Sequence, residues 1–100
     1  MPYVQKPARL RVDDEIDTLV EKAKGLSGEI PQEKMKGLAN YIITRVLLGI
    51  LKPTDGWNYA ALADVHSTLD CASKEIYRRL TGPYEDDAIN RNGDLAEFGV

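Results

Sequence analysis

One stretch constrains this chain more than any other: YIITRVLLGIL, from Tyr41 to Leu51. It is apolar on nearly every side of a helix and is broken only by Thr44 and Arg45. A helix that faces water on one side carries a single apolar stripe, whereas a helix that is apolar all round must be covered on several sides. A chain of 100 residues has few elements to provide that cover. We therefore predict a homodimer or higher oligomer; the alternative is a central core helix in a monomer.

Apolar residues elsewhere recur at the spacings of amphipathic helices, and the chain has no alternating strand of useful length. The predicted fold class is all-α, an antiparallel hairpin of two long helices with an N-terminal helix and a short C-terminal helix. One domain is predicted over residues 1–100, with an extended arm over 1–11 and a tail over 95–100. The predicted helices span Val12–Gly25, Pro31–Leu51, Tyr59–Leu80 and Pro83–Arg91.

The predicted helix ends follow from local side chains. Asp13 is a candidate N-cap of the first helix, and Asn58 or Asp55 is a candidate cap of the third. Gly82 and Pro83 are predicted to stop the third helix, and Asn92-Gly93 to close the last one. The third helix carries a seam at spacings of three and four, predicted to be buried. Its members are Leu62, Val65, Leu69, Ala72, Ile76 and Leu80.

Composition and charge exclude several classes of protein. Cys71 is the sole cysteine, so no internal disulfide forms, and the N-terminus has no apolar signal region; both features favour a cytoplasmic protein. The longest apolar run is far shorter than the ~20 residues of a membrane span. The net charge is −3, and the long helices offer no basic face. Lys6, Arg9 and Arg11 near the N-terminus are too few to indicate a DNA-binding protein.

The sequence contains none of the usual patterns of catalytic or metal-binding residues. His66 and Cys71 lie five residues apart, on different helix faces, and no zinc-binding motif is present. A magnesium site built from Glu85, Asp86 and Asp87 is the weaker interpretation, because acids near a helix start are ordinary partners of the helix dipole. No nucleophile lies in line with a base, and no phosphate loop follows a strand. We predict a protein that is not an enzyme and has no cofactor or metal.

Polar residues within the apolar second helix are candidate ligand contacts. Asn40, Thr44 and Arg45 interrupt that surface. A buried arginine needs a partner, because an unpaired buried charge costs several kcal/mol. Asp70, Glu75, a C-terminal acid or an anionic ligand are the possible partners; a structural salt bridge or an arginine reaching solvent is the alternative.

A second candidate set lies at the end of the third helix. Arg78 and Arg79 are adjacent and point about 100° apart. One is expected to pair with Glu75, Glu85 or Asp86, which leaves the other for a phosphate. The flanking side chains of Tyr77 and Tyr84 are suited to stacking on a base. The alternative is a salt-bridged corner without a ligand.

Several segments together resemble a family of short uncharacterised proteins from tailed phages and prophages, catalogued as a domain of unknown function. The segments are MPY (1–3), NYIITRVLL (40–48), LDCASKEIYRR (69–79), PYEDDAI (83–89) and NGD (92–94). This chain has Ser67 and Ser73 where the family has a glycine and a lysine. It also adds LAEFGV after the Asn-Gly-Asp turn, where the family usually ends.

The resemblance implies a viral origin, hence the host cytoplasm, and no activity. Small viral helical proteins without catalytic groups commonly act by binding. The leading hypothesis is sequestration of a small anionic ligand, a nucleotide or cyclic nucleotide immune signal, between subunits. The runner-up is a protein-protein interaction module, either an inhibitor of a host protein or a phage structural accessory.

Overall fold

The structure is a computed structural model that describes residues 3–98. Met1, Pro2, Gly99 and Val100, at the ends of the predicted arm and tail, lie outside the described residues. The chain divides into two compact units, Met1–Thr54 and Asp55–Val100. All regular secondary structure within residues 3–98 is helical, which confirms the predicted all-α class. None of the helices in this range is long and apolar enough to cross a membrane.

The first unit contains three helices: α1 (Lys6–Leu10), α2 (Asp13–Gly25) and α3 (Met35–Leu51). Two 3₁₀ turns, Leu26–Gly28 and Gln32–Lys34, lie between α2 and α3. The end of α3 at Leu51 is the predicted one, and Pro53 follows two residues later, where proline cannot continue a helix.

Three predictions for this unit are wrong in detail. Lys6–Leu10 form a helix within the predicted extended arm, because Pro7 sits in the first turn, where its missing N–H is not needed. Asp13 is the first residue of α2 rather than its N-cap; the N-cap is Val12, and the acids of the first turn face the positive end of the helix. Pro31 precedes a 3₁₀ turn, so α3 begins later than predicted.

The second unit consists of α4 (Tyr59–Ile76), a π-helical segment (Tyr77–Thr81) and α5 (Gly82–Asn92), which follow each other without a break. Asn58, one of the two predicted caps, starts α4: its Oδ1 accepts a hydrogen bond of 2.8 Å from the amide of Ala61. Gly93 ends α5 at a φ of 86°, as the predicted Asn-Gly turn requires. The predicted stop at Gly82-Pro83 is wrong, because the chain stays helical through both residues.

Few side chains are buried. Ala61 and Val65 on α4 are the core residues of the described chain, each 7% exposed. The predicted buried seam of α4 is therefore wrong except at Val65, since its leucines and isoleucine are more than a third exposed. On α3, Ile42, Leu47 and Leu51 are half-buried, while the apolar residues around them are exposed. The apolar half of α3 thus lacks the cover that its composition demands.

Candidate functional site

The π-helical segment sets the geometry of the predicted ligand residues on the second unit. The amide of Gly82 donates to the carbonyl of Tyr77, five residues earlier, instead of four as in an α-helix. Pro83 accounts for the wider turn, since a proline inside an α-helix lacks a donor and its ring clashes with the carbonyl four residues before. The helix therefore continues past a Gly-Pro pair by accommodating one extra residue per turn.

Two arginines meet one carboxylate where α4 passes into the π-helical segment. We call Glu75, Arg78 and Arg79 the arginine cluster. Arg78 Nη2 donates to Glu75 Oε1 at 2.8 Å, and Arg79 Nη1 lies 3.7 Å from the same oxygen. The carboxylate is largely covered, with its side chain 13% exposed, whereas both arginine side chains are 65% exposed. The cluster thus presents two cations outward over one shielded anion.

The arginine cluster shows which acid pairs with the arginines and how many arginines take part. Glu75, rather than Glu85 or Asp86, is the acid that pairs with the arginines in the described part of the chain. The expectation that only one arginine pairs is wrong, because positions three and four residues after Glu75 both lie over it on a helix. At 3.7 Å, however, the Arg79 contact is too long for a hydrogen bond.

The two predicted tyrosines lie on the same helical run, and both are exposed, Tyr77 by 54% and Tyr84 by 69%. The Glu85 carboxylate raises the pKa of the Tyr77 phenol above its ordinary value, through hydrogen bonding and its negative charge, with smaller contributions from desolvation and Asp86. Tyr84 borders a shallow depression on α5. The depression is also lined by Asp87, Asn90 and Arg91.

The predicted residues of α3 make hydrogen bonds along their own helix. Thr44 Oγ1 donates to the backbone carbonyl of Asn40 at 2.8 Å, and the same hydroxyl lies 3.2 Å from the Asn40 side-chain oxygen. Arg45 Nη1 donates to the hydroxyl of Tyr41 at 3.1 Å, and its guanidinium carbon is 5.8 Å from the centre of that ring. The hydrogen bond to Tyr41 raises the pKa of Arg45.

Arg45 follows one of the interpretations that the sequence left open, an arginine that reaches solvent. Its side chain is exposed rather than buried, so it needs no compensating charge. Its hydrogen-bond partner within α3 is Tyr41, one turn earlier. Sequence spacing could have indicated this pair, because residues four apart are neighbours on a helix.

The structure places the predicted ligand residues in two sets. Tyr77, Arg78, Arg79 and Tyr84 lie on one continuous helical run of the second unit, and Asn40, Thr44 and Arg45 lie on α3 of the first. Glu75 was predicted only as one of several acids, yet it organises the arginine cluster. Within residues 3–98, no three His, Cys, Asp or Glu side chains lie close enough together to hold a metal ion.

Comparison with known proteins gives one match. Searches of curated proteins and of solved structures return no significant similarity. A family model described as a domain of unknown function (DUF6899) matches residues 1–95, which include the first unit, most of the second and all the predicted ligand residues. The chain therefore belongs to the DUF6899 family.

Proposed function

We propose that this protein binds a small anionic ligand of the nucleotide class and holds it without changing it chemically. The observation that supports this is the arginine cluster, in which one covered carboxylate holds two exposed guanidinium groups. The cluster has a net positive charge, since two cations share one anion. Arginine presents a planar fork of donors that matches phosphate oxygens, so this arrangement is suited to a phosphate group.

A purely structural role explains the cluster less well. Exposed ion pairs contribute roughly 0–1 kcal/mol each, so a second arginine on the same oxygen adds little stability. The Asp70–Lys74 pair on α4 shows the ordinary case: one cation meets one anion at 2.8 Å, and both side chains are exposed. In the arginine cluster, by contrast, Arg79 keeps its hydrogen-bonding capacity because it stands beyond hydrogen-bond distance of Glu75.

Exposed tyrosines on the same helical run as the cluster favour a nucleotide over a bare phosphate. The exposed rings of Tyr77 and Tyr84 offer faces on which a base can stack, a contact worth about 1–3 kcal/mol per base. Tyr77 directly precedes Arg78, and the Glu85 carboxylate raises the pKa of its phenol. A ligand whose phosphate contacts the arginines and whose base stacks on a tyrosine would bind through both the guanidinium groups and an aromatic ring.

The proposal also includes the oligomeric state, the helix arrangement, the origin and the cellular location predicted from the sequence. The protein acts as a homo-oligomer, with the two long helices in an antiparallel hairpin and the ligand between subunits. Asn40, Thr44 and Arg45 are then the polar residues that α3 contributes near such a boundary. A phage origin and a role in the host cytoplasm, where the ligand is an immune signal, belong to the same proposal.

Thermal unfolding with a panel of ligands tests this function. The panel contains pyrophosphate, a nucleoside monophosphate, a nucleoside diphosphate, a cyclic mononucleotide and a cyclic dinucleotide. A ligand at 100 times its Kd adds about 2.7 kcal/mol to the free energy of unfolding, which is seen as a higher melting temperature. When the bound ligand is released by heating the protein and is analysed by chromatography, it should be chemically unchanged. If none of the five raises the melting temperature, the proposal fails.

Matched arginine variants locate the site. Arg79→Gln should abolish the shift in melting temperature given by the best ligand, because it removes the guanidinium with the most uncommitted donors. Arg9→Gln on α1 removes one positive charge at a position far from the arginine cluster in sequence, and it should leave the ligand-induced shift in melting temperature in place. Equal loss in both variants would indicate attraction to net charge rather than a site in the arginine cluster.

A protein-protein interaction module is the second candidate function. Exposed apolar side chains at the end of α4 and in the π-helical segment favour it, among them Ile76 at 56% and Leu80 at 69%. Such a surface suits a partner helix, for example one from a host protein or a phage structural protein. Leu80→Glu should abolish binding to a partner of this kind without removing ligand-induced stabilisation.

A further inference from the structure

The π-helical segment determines which side chains of α5 lie on the same side of the helical run as the arginine cluster. Successive residues of an α-helix are about 100° apart, so in an unbroken α-helix Tyr84 would lie about 180° and Arg91 about 160° from Glu75. The π-helical segment accommodates one extra residue, which turns every later residue back by about 100°. Tyr84 and Arg91 therefore lie within about 80° of Glu75, on the side of the arginine cluster.

Tyr77 lies on the opposite side of the same run. It follows Glu75 by two residues, so the two side chains point about 160° apart around the helix. A Cβ at Gly82 would lie 3.9 Å from Tyr77 Cε1, which places the tyrosine ring against the backbone of Gly82. Glu85 lies three residues beyond Gly82 on that side, and its carboxylate raises the pKa of the Tyr77 phenol. The ring of Tyr77 thus faces away from the arginine cluster.

The depression on α5 lies on the same side of the run as the arginine cluster. Its volume is about 380 Å³, and it is lined by Tyr84, Asp87, Asn90 and Arg91. This volume is near the lower end of small-molecule sites, so the depression suits one base rather than a whole dinucleotide. Arg79 and Tyr84 are five residues apart, about 7 Å along the helix axis, a distance that one ribose bridges between a phosphate and its base.

Two side chains of the depression have hydrogen-bonding groups that are not used within residues 3–98. Arg91 Nε donates to the carbonyl of Asp87 at 3.3 Å, whereas its two terminal nitrogens make no hydrogen bond or ion pair in this range. The side-chain amide of Asn90 makes none there either. Asparagine pairs with N6 and N7 of adenine, and arginine pairs with O6 and N7 of guanine. Both side chains therefore suit the N7 edge of a purine, which a pyrimidine lacks.

We propose that a purine base stacks on Tyr84, with its N7 edge toward Asn90 and Arg91, while its phosphate contacts Arg79. The inference rests on the proposed function and deepens it, because it names the class of base and chooses between the two exposed tyrosines. It also gives Asn90 and Arg91 a role in binding, and it leaves Tyr77 outside the contact.

Calorimetry with a set of nucleotides tests the preference for a purine. The probes are pyrophosphate, AMP, GMP, CMP, the 7-deaza forms of AMP and GMP, and the cyclic dinucleotides of two guanines and of two uracils. Each purine nucleotide should bind at least about fivefold more tightly than its pyrimidine counterpart, the low end of a bidentate contact to a base. The 7-deaza forms, in which carbon replaces N7, should lose most of that advantage.

Matched variants locate the base. Tyr84→Ala should weaken the binding of GMP by about tenfold, because the stacking surface is lost, and should leave the affinity for pyrophosphate unchanged. Tyr59→Ala removes another exposed tyrosine, on α4, and should change neither affinity. Asn90→Ala should reduce the difference between AMP and 7-deaza-AMP. Circular dichroism should show the same helix content in all of these variants.

The outcomes separate this inference from the proposed function. If pyrophosphate binds and the purine nucleotides bind no more tightly than the pyrimidine ones, the purine site is wrong while the arginine cluster still binds phosphate. The purine site is also wrong if Tyr77→Ala, and not Tyr84→Ala, weakens the binding of GMP, because the base then lies on the opposite side of the helix. If no probe binds, the proposed function fails and this inference fails with it.

Discussion

The amide of Gly82 donates a hydrogen bond to the carbonyl of Tyr77, which lies five residues earlier in the chain. This bond lets a helix continue through Gly82-Pro83, where an α-helical turn would be blocked by the proline. It also sets the order of side chains around the helix beyond it, because a π-turn contains more residues than an α-turn. The positions of Tyr84 and Glu85 on the helix beyond Gly82 follow from it.

The first prediction concerns the close approach at Gly82. A Cβ at this position would lie 3.3 Å from the Tyr77 carbonyl oxygen, whereas one at Gly37 on α3 would meet nothing within 4 Å. Gly37→Ala should raise the free energy of unfolding by about 0.5–1 kcal/mol, the helix preference of alanine over glycine. Gly82→Ala should gain little or nothing, because the tight contact offsets that preference. Chemical denaturation followed by circular dichroism measures both; equal gains would show that the π-turn tolerates a side chain.

The second prediction concerns the titration of Tyr77. Glu85→Gln removes the carboxylate that raises the pKa of this phenol, so the pKa should fall toward the ordinary tyrosine value. Because the raised pKa favours the neutral phenol in the folded state, the stabilisation is present below pH ~10 and is lost as the pH rises through the higher folded value. NMR titration of the tyrosine ring carbons measures the shift. Glu97→Gln is the control, and an equal fall there would exclude a specific Tyr77–Glu85 interaction.

Features set by neighbouring residues could be predicted from the sequence. Tyr59 starts α4 because Asn58 caps it, and Leu51 ends α3 because Pro53 follows. The same local reasoning failed at Gly82-Pro83. A proline indicates where an α-helix cannot continue, but it does not exclude a change to a wider turn.

Features set by packing could not be predicted in the same way. Periodicity identifies which side chains share a face, but not what covers that face. Val65 is buried, whereas Leu80, predicted from the same seam, is 69% exposed. For Arg45 the sequence left open a buried ion pair and a long side chain that reaches solvent; the structure shows the second, with Tyr41 as the hydrogen-bond partner.

The third prediction concerns the start of α4. Asn58→Ala removes the acceptor for the Ala61 amide and should lower the free energy of unfolding by about 1 kcal/mol. Asn58→Asp should retain most of the stability, since a carboxylate oxygen can accept the same hydrogen bond. Asn90→Ala, at an exposed position within α5, serves as the control and should change stability by a few tenths of a kcal/mol at most. Thermal or chemical denaturation distinguishes these variants, and an equal loss at Asn90 would contradict a specific capping role.

The last prediction separates the two roles of Glu75. As a structural partner it contributes little, because both arginines that it contacts are exposed, so Glu75→Gln should lower the free energy of unfolding by no more than about 1 kcal/mol. As the only acid within the arginine cluster, it opposes an approaching phosphate. Removing one unit charge about 4 Å away is worth about 1 kcal/mol in water, or up to fivefold in affinity.

Calorimetry with pyrophosphate and a cyclic dinucleotide measures that gain at low salt, where it should be largest. Asp70→Asn is the matched control: it removes an equal charge from the exposed pair with Lys74 and should change affinity less. If Glu75→Gln instead abolishes binding, the carboxylate positions the arginines for the ligand and the expected gain is wrong. If neither probe binds to either protein, the arginine cluster does not bind phosphate, and its two ion pairs serve only to join α4 to the π-helical segment.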